Sequence, residues 1–118
     1  MYYKGSIYKP VGKRGFLCGA FLPINHPLYS KKIEVLYREI KSGDEFKRHY
    51  HKKIDEFVII LEGEYKEKID GKIITLKAGD FIFLKAKTKT EFIKAKSRIK
   101  VICIKTPSIP EQKDKYYY

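Results

Sequence analysis

Two histidines two residues apart, with a glutamate five residues further on, are the part of this sequence with chemistry in it: His49, His51 and Glu56. On an extended strand, residues i and i+2 share a face. His49 and His51 therefore project together, and Tyr50 faces away. Glu56 follows a short turn over residues 52–55 and opens an apolar run. An antiparallel hairpin is thus expected to set it beside the histidines. Two imidazoles and one carboxylate make a facial donor set with positions left open for water or substrate, of a kind that suits Fe, Mn, Ni or Zn. In such a site Glu56 is ionised and both ligating nitrogens are unprotonated. Without a metal, the same imidazoles make an acid–base pair, because their ordinary pKa lies near neutrality. A histidine pair alone is common on solvated strands. The glutamate at this offset, and the glycines Gly43 and Gly63 that bracket the segment, set this one apart.

The elements that must position these groups read as β throughout. Residues 33–40 are rich in β-branched and aromatic side chains, and 56–61 are almost continuously apolar, as in a strand covered on both faces. Residues 64–69 and 72–76 flank Asp70-Gly71, a tight hairpin turn. Ala78-Gly79-Asp80 leads into 81–84, and 91–94 and 99–105 complete the series. Frequent turns without a long helical period are the pattern of a β-sandwich or small barrel. With Glu56 facing inward, Val58 and Ile60 do so too. Phe57, Ile59 and Leu61 then face outward and need a cover, from the N-terminal segment or from a second subunit in a homodimer. The division expected is an N-terminal segment over 1–32, a barrel over 33–105, and a tail over 106–118 that is docked on the body or on a partner.

The chain has 118 residues, 43% of them hydrophobic and 34% charged, as in a globular domain able to bury its own core. The run 16–24 is too short to span a bilayer and contains Pro23, so no membrane association is expected. Cys18 and Cys103 lack metal-type spacing and read as reduced core thiols of a cytoplasmic protein. Lysine supplies 22 of the 26 basic residues behind the net charge of +12. That charge favours phosphorylated or carboxylated partners. The lysines are dispersed and no nucleic-acid-binding motif accompanies them, so nucleic acid is not the expected partner. The alternating Lys85, Lys87 and Lys89 read as a solvated edge that discourages aggregation. Arg38 and Arg48 flank the histidine strand; Arg48 faces opposite to His49, and the facing of Arg38 is open. His26 lies in a turn-like Asn-His-Pro stretch.

Glycine, five residues, His-x-His, four residues, glutamate, six residues, glycine is the first signature of the cupin superfamily, and Gly43 to Gly63 resembles it without a gap. Gly79-Asp80 is similar to the opening of the second signature. The later proline, glycine, histidine and asparagine positions of that signature hold Lys85, Lys87, Thr90 and Lys94. The resemblance covers about residues 33–105 and implies a single-domain jelly-roll barrel. A typical cupin site uses three histidines and a glutamate. The fourth-ligand position is Thr90, a neutral hydroxyl and a poor donor to a divalent ion, while its neighbour Glu91 points to the other face.

The resemblance implies a barrel that binds a divalent metal (Fe, Mn, Ni or Zn) through His49, His51 and Glu56, together with a small anionic or carbohydrate-like ligand. One alternative is a metal-free nucleotide-sugar isomerase or epimerase with His49 and His51 as acid and base. Another is a sensing module that binds without turnover.

Overall fold

The computed structural model describes residues 1–41 and 43–118. Its strands are β1 (Phe16–Cys18), β2 (Glu34–Ile40), β3 (His49–His51), β4 (Asp55–Glu62), β5 (Glu64–Ile69), β6 (Lys72–Lys77), β7 (Phe81–Leu84), β8 (Thr90–Ala95), β9 (Ile99–Thr106) and β10 (Lys115–Tyr117). A one-turn helix, α1 (Glu111–Asp114), precedes β10. The strands form two five-stranded antiparallel sheets, ordered β1-β2-β9-β4-β7 and β10-β3-β8-β5-β6. This is the expected all-β jelly-roll barrel.

Strand β9 shows how the sequence builds it. Ile99, Val101, Cys103 and Lys105 alternate into the interior, and all four are buried. Neighbours in register extend each inward position into a row across the sheet. Leu36, Cys103, Val58 and Ile82 form one row; Glu34, Lys105, Glu56 and Leu84 form the next. The first belongs to the apolar core, with Ile40, Ile60, Tyr65, Leu76, Ile99 and Val101. The second is charged. Period-two alternation along β2, β4 and β9 therefore gives the barrel an apolar body and one polar end.

The Asp70-Gly71 turn has both residues at positive φ (47° and 83°), as a two-residue hairpin with the right-handed strand twist requires. Gly63 is a stricter position. Its φ is +90°, and a Cβ there would lie 2.4 Å from the Arg98 carbonyl oxygen.

One sequence expectation needs revision, and one open alternative is decided. β3 and β4 do not form a hairpin. β3 lies between β10 and β8, and β4 between β9 and β7, in the opposite sheet. Ile54, only 2% exposed, sits in the interior where the chain crosses. Burying that side chain requires residues 52–54 to pass between the layers rather than turn within one. The tail, for its part, is docked on the body: β10 pairs with β3 at all three positions, Lys115 with His51, Tyr116 with Tyr50 and Tyr117 with His49.

The N-terminal residues add an edge strand, β1, to β2, and Tyr8 packs edge-on against Tyr37 at 5.7 Å. They leave open the outer face of β4 and β7, where Phe57 stacks on Phe81 at 5.1 Å and Phe81 and Phe83 are 65% and 49% exposed. Among the described residues no helix is long and apolar enough to cross a membrane.

Replacing Gly63 with alanine is expected to destabilise the fold by roughly 2–3 kcal/mol, from the positive φ and the backbone clash together. Gly43 also has positive φ (+93°), but its Cβ would meet nothing. Gly43→Ala should cost only about 1 kcal/mol. Urea unfolding of the two variants measures the difference.

Candidate functional site

The polar end of the interior opens into a cavity of about 410 Å³ between the sheets. One sheet contributes Arg38, Glu56 and Lys105; the other contributes His49, His51, Glu67 and Thr90; the tail contributes Lys115 and Tyr117. Phe46, Val58, Leu84 and Phe92 supply an apolar wall. The sequence-expected residues His49, His51, Glu56 and Thr90 all line this space. Glu56 reaches it from across the barrel, not from a neighbouring strand. His26 does not line it; its Nδ1 accepts from the Leu28 N–H at 3.0 Å in a local turn.

Each histidine is held by one ring nitrogen. His49 Nδ1 lies 2.9 Å from the Lys47 carbonyl oxygen, and His51 Nδ1 lies 3.2 Å from Asp114 Oδ2. A carbonyl and a carboxylate can only accept, so both Nδ1 atoms carry the proton. Both Nε2 atoms then have a free lone pair, and they are the ring nitrogens left for the cavity. The rings stand 5.5 Å apart at 85°.

Asp114 is the functional residue that sequence reasoning missed. It is 1% exposed and also accepts the Lys53 backbone N–H at 2.8 Å. Carboxylate support behind an imidazole fixes its tautomer and orientation. No local signal could have linked residue 114 to residue 51. Only the pairing of β10 with β3 does so.

The electrostatics divide the groups by role. Burial pushes His49 down to about 4, despite its bond to Lys47. Burial also lowers His51; Glu56 opposes this, Lys105 and Lys115 add to it, and Asp114 opposes it. Both imidazoles are therefore neutral acceptors at pH 7. Glu67 moves the other way. Burial, with the charge of Glu56, raises it to about 7, so near neutrality it is partly protonated. Lys105, 4% exposed, is neutralised by Glu34 at 3.8 Å and Glu111 at 3.7 Å, and Lys115 shares Glu111 at 3.8 Å. Arg38 rests over the Phe46 ring at 5.7 Å and has no carboxylate partner among the described residues. Arg38, and Lys47 over the Tyr117 ring at 5.9 Å, are the lining cations outside any ion pair among the described residues.

The cupin domain matches residues 36–105, from β2 almost to the end of β9. The chain belongs to the cupin family. A cupin protein from Bacteroides fragilis is 29% identical over 64% of this chain and 66% of its own length, slightly under two thirds, with a TM-score of 0.58. Streptomyces Pac13, described as a nucleoside dehydratase, is 13% identical and has a TM-score of 0.72 over 100% of this chain and 92% of its own. KdgF from Halomonas is 16% identical over 70% of this chain and 76% of its own, with a TM-score of 0.64. At such identities the last two share the fold alone. No curated protein sequence matches the chain.

Cupin membership implies a metal site, and the donors can be tested against one. Among the described residues, no three His, Cys, Asp or Glu side chains are placed to hold a metal ion. Thr90 occupies the fourth-ligand position on the same row as His49. Its hydroxyl turns to the His49 carbonyl at 3.4 Å. Thr90 is therefore not a donor to the cavity, and the described residues do not show a metal site.

The tautomers can be checked directly. Two-bond ¹H–¹⁵N correlation NMR at pH 7 should show His49 and His51 both protonated at Nδ1. In Asp114→Asn, the amide NH₂ turned toward His51 should move the proton of that ring to Nε2 and leave His49 unchanged. A His51 spectrum unaffected by the substitution would remove Asp114 as its positioning residue.

Proposed function

We propose that this cupin binds a small anionic, carbohydrate-like molecule in its barrel and moves protons on it without a metal. The observation that carries this reading is the juxtaposition in one cavity of two Nδ1-tethered imidazoles and Glu67, whose pKa of about 7 suits it to give up a proton near neutrality. A neutral imidazole and a carboxyl that keeps its proton to about pH 7 face the same space.

The roles follow from the partners. Arg38 anchors a phosphate or carboxylate on the ligand. The apolar wall of Phe46 and Phe92 takes a ring face. His51 Nε2 removes a proton from the ligand, and the resulting imidazolium is stabilised through Nδ1 by Asp114. Glu67 donates a proton at the neighbouring position, so the ligand ends with its proton count unchanged in an isomerisation. Transfer from His51 to Glu67 through solvent resets both groups. His49 stays neutral and accepts a ligand hydroxyl. That the same fold in Pac13 has been described with uridine supports a sugar-bearing ligand. The two free cysteines support a reducing, cytoplasmic setting.

The test is hydrogen exchange in D₂O, followed by NMR over a panel of sugar phosphates and uronates, with excess chelator present. Exchange into one of them should persist under chelation and disappear in His51→Ala. Its rate should rise with pH as His51 loses its proton, and fall as pH passes about 7, where Glu67 loses the proton it must give. Glu67→Gln should slow the reaction by about 100-fold or more and abolish the alkaline limb. Loss of activity on chelation, restored by one equivalent of metal, would sink the reading. Saturable binding with no exchange would replace it with a sensing role.

We also propose that a second copy of the chain covers the open face around Phe57, Phe81 and Phe83. Exposed phenylalanine rings gathered on one sheet face are of the kind that mark an interaction site. Sedimentation should show a dimer at micromolar concentration that Phe81→Glu converts to monomer. A parent chain that is monomeric under the same conditions removes the proposal.

A further inference from the structure

Alternation gives β3 and β10 a second face. Inward they carry His49, His51, Lys115 and Tyr117 to the cavity. Outward they carry Tyr50 and Tyr116, with Tyr118 just beyond. These three rings and Lys52, Lys53, Lys87 and Lys89 line a shallow outer hollow of about 740 Å³. No acidic side chain lines it. Tyr116 and Tyr118 remain 48% and 42% exposed.

The hollow is assembled from distant parts of the sequence and pinned by backbone hydrogen bonds. Lys52 N–H donates to the Asp114 carbonyl at 3.0 Å, and Lys87 N–H to the His51 carbonyl at 2.6 Å. Lys89 N–H donates to Asp70 Oδ1 at 2.8 Å. The rings are set as a row: Tyr50 lies 5.1 Å from Tyr116 at 34°, and 6.3 Å from Tyr118 at 38°. Cations already sit over the ring faces, Lys52 on Tyr116 at 5.9 Å and Lys89 on Tyr118 at 5.4 Å, with Arg48 on Tyr118 at 5.1 Å.

We propose that this outer face binds single-stranded nucleic acid, with bases stacked on the tyrosine rings and phosphates met by the four lysines. The two halves of the site select different features. Lysines alone attract any polyanion. Exposed ring faces interleaved with them favour a polyanion whose repeating unit has a π-face of its own. A duplex hides those faces in its stack, and an acidic polysaccharide or a lipid headgroup has none. A base entering the row displaces a lysine from a ring, and the same lysine turns to the adjoining phosphate. Four of the lysines that look dispersed in the sequence are thus gathered by the fold onto one aromatic platform. This proposal does not rest on the proposed cavity chemistry.

The test is fluorescence anisotropy of the full chain with a labelled single-stranded oligonucleotide over a salt series. Four phosphate contacts predict a log–log slope of about −3. Tyr116→Leu, which keeps an apolar strand residue, should weaken binding by about fivefold or more and leave the slope unchanged. The exposed pair Lys52→Gln and Lys89→Gln should flatten the slope by about 1.4, and it serves if the tyrosine variant fails to fold. Inorganic polyphosphate of matched charge should compete poorly. Equal competition by polyphosphate, preference for anionic lipid vesicles, or unchanged affinity in both variants would overturn the proposal.

Discussion

The histidine strand is held in place by the tail. β3 meets β8 only at the His49–Thr90 pair, while β10 pairs with it along its whole length. Asp114, just before β10, accepts hydrogen bonds from the Lys53 backbone and the His51 ring. Hydrogen bonds to a charged group contribute about 1.5–3 kcal/mol each, and this carboxylate is fully enclosed. Remove the tail, and three residues that carry the chemistry would form a short edge strand with a single ladder contact. The cavity therefore depends on a clasp made late in the chain. That clasp also delivers Lys115 and Tyr117 to its wall.

The same constraint accounts for the charge arrangement. Lys105 is buried at the polar end of β9, and an isolated ammonium there would be costly. Glu34 answers it from β2 and Glu111 from the helix that leads to β10. Docking the tail thus completes the neutralisation of Lys105 as it positions His51. Among the described residues Glu67 has no such partner. Enclosed near Glu56, it keeps its proton until about pH 7. One carboxyl in the cavity is a fixed countercharge and another is a proton store, and burial with neighbours decides which.

The parts legible in the sequence are those set by local pattern. The strands at 64–69 and 81–84 could be bounded to the residue from their period and turns. The inward facing of His49, His51, Val58 and Ile60 follows from period two alone. The motif spacing requires glycine at 63, and the clash a Cβ there would make with the Arg98 carbonyl shows why. What could not be read depends on which sheet a strand joins. Residues 52–55 look like a hairpin turn, because turn composition does not distinguish a return within a sheet from a crossing between sheets. Asp114 lies 63 residues from His51, in a stretch punctuated by Pro107 and Pro110 that carries no strand signal. Lys52, Lys53, Lys87 and Lys89 look dispersed until residues 85–89 are tied to β3.

β3 and β10 thus serve two surfaces with one pairing. A side chain cannot be moved from one face to the other without slipping the register, and a slip of one residue would exchange His49 and His51 for Tyr50. The pairing also couples the faces. A ligand that binds only the docked tail stabilises docking by mass action, whichever face it occupies. Because docking sets the His51–Asp114 contact, a ligand on the proposed tyrosine site would favour the tautomer that faces the cavity. By the same linkage, a ligand that engages Lys115 and His51 favours the aligned tyrosines. Residues 111–118, outside the span matched to the family, thus contribute to both faces of the histidine strand.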